Sequence, residues 1–273
     1  MAIITISRGS LSGGQKLAEC LGSNLGYRVI SREDLSKEAA RRYGVVEESL
    51  RRGLEQAPSF WDRFRIDRQI YRCVAQATLC QMVRDDNVVY HGHAGHLLLR
   101  DVTHVLRIRL IVPMRERIAF ATTELGYSES EAEAYIRKRD EERVSWTRFL
   151  YGIEWGDPAL YDITLNLERI SIPAACETLA GVVAQEEFVV KDEHRQRLED
   201  LYLAAHVQAT LFLNPKVAAA AAKLEVKADA GTVHLSGILP GDELLEEVLR
   251  TCRSLPEVRD TRAEWLGARV EPV

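Results

Sequence analysis

The stretch "SRGSLSGGQKLAECLG", residues 7–22, follows the apolar run "AIITI" directly and has a spacing suited to phosphate chemistry. Gly9 and Gly14 stand as in the G-x-x-x-x-G-K-[ST] loop that joins a strand to a helix. The lysine position holds Gln15, and the position of the magnesium-binding hydroxyl holds Lys16. Backbone N–H groups and the positive helix end bind an anion without either side chain. The candidate phosphate cradle is therefore Arg8, Gly9, Ser10, Ser12, Gly13, Gly14, Gln15 and Lys16. The substitutions remove a point charge and a metal ligand. The plain alternative is a glycine turn that binds nothing.

A second candidate set lies in "SESEAEAYIRKRDEERVSW", residues 128–146. Ser128 and Glu131 form a capping box, which predicts a helix start. Downstream, Arg139 and Arg143 share a face, and Asp140 and Arg143 have the spacing to pair. Forked guanidinium donors suit the spread charge of a phosphoryl group. The competing reading is a solvated, salt-bridged helix. A third set, "HGHAGH" at 91–96, invites a metal reading, but no carboxylate or cysteine has a complementary spacing. Gly92 and Gly95 favour a tight turn into a helix. "SFWDRFRID" (59–67) reads as a packed helix pair with a charged rim or as part of an acceptor-binding insert. Asp162 reads equally as a strand cap or as an orienting carboxylate.

These residues need a frame to hold them. Strand candidates at 2–6, 27–30, 87–91, 105–112 and 161–167 alternate with helices at 33–43, 66–84 and 172–190. That alternation predicts an α/β fold, a parallel sheet flanked by helices, over residues 1–190. Near residue 191 the pattern changes to a charged run, an apolar helix, a hairpin turning at 229–231, a helix at 242–254 and a last strand. This predicts a small α+β (αββαβ) unit within 191–273. Hydrophobic residues make up 46% of the 273 and charged residues 28%, as in an ordinary globular chain. A net charge of −5 offers no global basic field, so nucleic acid is not an expected partner. Five cysteines without metal-ligand spacing suit a reducing compartment. No secretory signal or membrane-length apolar run is visible, and a cytoplasmic location is expected.

The order of motifs carries a resemblance. "ITISRGSLSGGQKLAECLGSNLGY", "SREDLSKEAARRYG", "VVYHGHAGHLLL", "VLRIRLIVPMRERI", "RKRDEERVSW" and "YGIEWGDPALYDITLNL" together resemble the cytidylate kinase-like family of P-loop nucleoside monophosphate kinases. In that family the loop follows a Ser-Arg pair, here Ser7-Arg8, and the usual lysine is commonly replaced. The resemblance implies a P-loop fold and transfer of the ATP γ-phosphate to a nucleoside monophosphate, CMP among the candidates. It implies ATP with Mg2+, for which no protein ligand is assigned. It makes Arg137, Arg139, Asp140 and Arg143 a catalytic lid, and His91, Gly92 and His93 the acceptor turn. An arginine usually stands at the His93 position, and an aspartate is common where Ser31 is. Residues 196–267 resemble a BON domain, which implies docking, self-association or contact with a protein or lipid surface. The alternative is a nucleotide-binding regulator with little turnover that signals through the BON-like unit; a scaffold with a vestigial pocket is the third reading.

Overall fold

A computed structural model describes residues 2–47 and 65–265, with the side chains of 65–68 and 265 left aside. The aromatic–arginine stretch at 59–67 lies outside the described side chains. Five parallel strands form the main sheet in the order β2-β3-β1-β4-β5: β1 (Ile3–Arg8), β2 (Arg28–Ser31), β3 (Val88–His91), β4 (Val105–Ile111) and β5 (Ile163–Asn166). β1 lies at the centre, and its β-branched run Ile3, Ile4, Thr5 and Ile6 is buried on both faces. Because side chains alternate along a strand, Ile3 and Ile4 enter different cores.

One core holds Ile4, Ile6 and Leu106 of the sheet against Leu17 and Leu21 of α1 (Gly14–Leu25) and Leu179 of α7 (Ile172–Val183). The other holds Ile3, Val88 and Tyr90 against α2 (Arg32–Tyr43), α3 (Arg65–Met82) and the short α4 (Gly95–Leu98). Two further helices follow β4: α5 (Met114–Leu125) and the long α6 (Glu129–Tyr151). The Ser128–Glu131 box caps α6 as the spacing predicts, with both reciprocal bonds present. Trp146, fully buried, anchors the C-terminal half of α6 in the second core.

The C-terminal elements follow the expected αββαβ order. α8 (Asp192–Leu213) leads through a short turn of helix, α9 (Ala218–Ala221), to the hairpin β6 (Leu224–Asp229) and β7 (Thr232–Gly237). Ala230 and Gly231 both have positive φ, the backbone a tight hairpin needs. α10 (Asp242–Arg253) then carries the chain to β8 (Asp260–Trp265), parallel to β7. This small mixed sheet is separate from the main one, yet the second core runs through α3 and α8 to Val233 and Val248 without a break. All five cysteines are free thiols. Among the described residues, no helix is long and apolar enough to cross a membrane.

Candidate active site

The glycine loop leaves β1 at Arg8 and enters α1 at Gly14, at the carboxyl ends of the strands where open α/β sheets bind ligands. Leu11 (φ 57°) and Gly13 (φ 71°) take left-handed backbone, which turns the chain sharply into the helix. The first-turn N–H groups of α1 have no acceptor inside the helix, which leaves them as candidate anion donors. A Cβ on Gly14 would lie 2.0 Å from Cδ of Arg8, so glycine is required for Arg8 to pass.

The loop is held from two other helices. The Ser10 N–H donates to Oδ1 of Asp140 at 2.9 Å, and Nε of Arg117 donates to the Ser10 carbonyl at 2.7 Å. Arg117 also pairs with Asp140, Nη2 to Oδ2, at 2.7 Å. Arg143 donates to the Arg8 carbonyl at 3.0 Å and to Asp140 at 3.3 Å. The Asp140–Arg143 pair expected from their spacing is therefore present. Arg137 stands on the exposed face, bonded to Glu133, and Arg139 pairs with Glu142 at 3.1 Å beside the Tyr135 ring. Gln15 reaches along the helix to Glu19 at 2.9 Å, and Lys16 lies over the Phe120 ring at 5.4 Å. Of the proposed cradle, these two side chains are directed elsewhere.

Beside the loop is a cavity of about 60 Å3 lined by Ser7, Arg8, Arg32, Glu33, His91, Gly92, His93 and Arg143. Three guanidinium groups against one carboxylate give its lining an excess of positive charge. Ser31 caps α2 by a reciprocal bond with Asp34, and this cap sets Arg32 at the first helical position beside the cavity. Arg8 presents a buried Nε without a hydrogen-bond partner. Burial and then Arg32 lower the Arg8 pKa, and burial together with Arg8 lowers Arg143 to about 10. Both remain cations at neutral pH.

The 91–96 turn is shaped by Tyr90. A Cβ on Gly92 would fall 2.2 Å from the Tyr90 hydroxyl oxygen, and one on Gly95 would fall 2.5 Å from its ring. Burial, then Arg143, pushes His93 well below its ordinary pKa, and the ring packs edge-on to Trp146 at 4.5 Å. Burial, then Arg107, lowers His96 to about 3. These imidazoles are neutral. Among the described residues no three His, Cys, Asp or Glu side chains converge as a metal site. A wall of Trp155 and Tyr161 closes the end of β1: the Trp155 indole N–H donates to Ser7 Oγ at 2.9 Å, and the Tyr161 hydroxyl donates to the Trp155 carbonyl at 2.9 Å. Asp162 takes three bonds from Arg107, its N–H among them, and ties β4 to the chain entering β5.

The cytidylate kinase-like family model matches residues 3–169. The chain belongs to the cytidylate kinase-like family. A cytidylate kinase of Ignicoccus hospitalis is 28% identical over 181 residues, covering 66% of this chain and 97% of that one. A cytidylate kinase of Desulfurococcus amylolyticus is 29% identical over 190 residues, covering 67% of this chain and 91% of that one. An uncharacterized protein from Eubacterium ventriosum shares the fold, with a TM-score of 0.53 at 17% identity, over 67% of this chain and 97% of that chain.

Within this cytidylate kinase-like chain, sequence reasoning missed Arg117, Arg32 and Trp155. Arg117 follows β4 by six residues, at the strand end where such sheets place their sites, and that position was its one legible signal. Arg8, expected among the donor-phosphate residues, turns its side chain into the cavity with His91 and His93.

Proposed function

We propose that this chain is a nucleoside monophosphate kinase that transfers the γ-phosphoryl group of ATP to a nucleoside monophosphate, with CMP as the favoured acceptor. The observation that carries this reading is the arginine-lined cavity set directly against the glycine loop. Donor phosphates are held by the N–H groups opening α1, and the acceptor's phosphate occupies the cavity among Arg8, Arg32 and Arg143. An acceptor phosphate oxygen attacks the γ-phosphorus, the bond to the β–γ bridging oxygen breaks, and ADP leaves. Arg143, which borders both compartments, neutralises charge on the transferring group. The chemistry is positioning and electrostatics, so it needs no strong general base. Asp140 and Arg139 complete the proposed lid, and Arg137, turned outward onto Glu133, stands apart from it. The preference for CMP is supported by the relatives named cytidylate kinase.

Magnesium travels with ATP. Lys16 stands where a hydroxyl would ligate the ion, so this chain would supply no ligand at that position.

A second reading, a nucleotide-binding regulator, is favoured by the directions of Gln15 and Lys16, which bring no charge to the loop. In that reading the BON-like unit relays the bound state to a protein or lipid surface. The unpaired thiols suit the cytoplasm as the proposed location. Coupled ADP release across a panel of monophosphates decides between the two. The kinase reading expects turnover above background with a preference for CMP, abolished in Arg143→Ala. Binding of ATP by calorimetry without turnover on any acceptor would establish the regulator.

A further inference from the structure

The peptide of Ser10 is gripped on both sides by two residues that also grip each other. Asp140 accepts its N–H, Arg117 donates to its carbonyl, and the Arg117–Asp140 pair closes the ring at 2.7 Å. The three partners come from the loop, α5 and α6, and Arg117 is buried. Gly9 makes room for the guanidinium, since a Cβ there would stand 3.0 Å from Nη2 of Arg117. The residue after Ser10 is Leu11, a branched side chain held at φ 57°, a conformation that persists only where neighbours over-determine it.

We propose that Arg117 and Asp140 are positioning residues that clasp the Ser10–Leu11 turn so that the amides opening α1 face the donor phosphates. Cutting the clasp lets Leu11 relax to ordinary backbone and swings those amides out of line. Asp140 thereby has a task beside its part in the lid: it joins the lid helix to the loop. Arg143 adds a weaker strut, since its Nη1 reaches both Asp140 and the Arg8 carbonyl. The clasp concerns donor geometry: Arg117 lines no part of the acceptor cavity, whereas Asp140 also holds Arg143, which does.

The effect on ATP rests on the kinase reading above, whereas the clasp itself is tested without substrate. Hydrogen exchange of the segment 9–13 in nucleotide-free protein is compared for wild type, Arg117→Ala, Arg117→Lys, Asp140→Ala and the Arg117→Ala/Asp140→Ala double variant. Exchange rises at least ten-fold in either alanine variant, and the double variant matches the worse single one, as expected of groups acting as a unit. Arg117→Lys, which keeps the charge but loses the fork, falls between. KM for ATP rises about as much in the same variants, and in the two Arg117 single variants KM for the acceptor stays within two-fold. Unchanged exchange, additive effects, or an acceptor KM that moves with that for ATP in the Arg117 single variants overturns the clasp. If Arg117→Ala does not fold, the Arg117→Lys and Asp140→Ala exchange decides alone. Loosened exchange in a protein without turnover would overturn the kinase reading and leave the clasp standing.

Discussion

Arg143 donates from Nη1 to the carbonyl oxygen of Arg8 at 3.0 Å, and both guanidinium groups line one cavity. The contact brings two cations together where burial already disfavours charge, which is why Arg143 falls to about 10. An anion relieves that repulsion. Inorganic phosphate at about 100 times its Kd is expected to add about 2.7 kcal/mol of stability. For a chain of this size that raises Tm by roughly 5–10 °C. Arg8→Ala and Arg143→Ala each remove most of the rise in scanning fluorimetry, and an undiminished rise in both would assign the anion to another site.

Gly92→Ala is expected to cost about 1–3 kcal/mol, because the added methyl overlaps a fully buried ring and one of the two must move. The overlap is with the Tyr90 hydroxyl oxygen, at 2.2 Å. The 91–96 turn shifts with it, so on the proposed acceptor role KM for the acceptor rises while KM for ATP holds. A urea midpoint equal to that of wild type would refute the overlap.

Stability should fall on the acid side through the buried imidazoles. His93 and His96 bind protons less readily folded than unfolded, His96 holding off until about pH 3. Above pH 7 neither form is protonated and the groups contribute no slope. Below about pH 6.5 the unfolded chain takes up protons that the folded one refuses, costing about 1.4 kcal/mol per pH unit for each imidazole. For His96 the loss continues down to about pH 3. Urea midpoints between pH 7.5 and 4.5 check this, with His96→Phe giving a shallower decline. Parallel slopes for the two proteins would sink it.

Removing the C-terminal unit should destabilise the kinase-like part. α3 is buried nearly all round, with Cys73, Val74, Ala77, Leu79 and Cys80 each at 2% exposure or less, and α8 is one of the helices that cover it. A chain ending at residue 190 bares that face. It is expected to melt well below the full chain and to self-associate, read by calorimetry and light scattering. A truncated chain that is monomeric and equally stable would contradict the shared core.

Much of this architecture was legible because short-range chemistry determines it. The β-branched run at 3–6, the Gly9–Gly14 spacing and the Ser128–Glu131 box each specify local backbone, and the strand, loop and helix start follow. The Asp140–Arg143 pair was legible too, since a helix brings residues three apart together wherever it lies. The C-terminal hairpin was found from alternation and one glycine turn, for the same reason.

What periodicity leaves undetermined is which face of a helix meets which neighbour. The sequence by itself determined a parallel α/β unit with a glycine loop between its first strand and helix, an arginine-bearing helix and a small α+β unit behind it. Only the tertiary structure decided that Arg137 points outward, that Arg8 serves the cavity, and that Arg117 reaches the loop from a segment over a hundred residues away. It also decided that α8 joins the two sheets through one core. The physical reason is that side-chain partners across long separations are selected by packing of whole elements, and no local spacing encodes that.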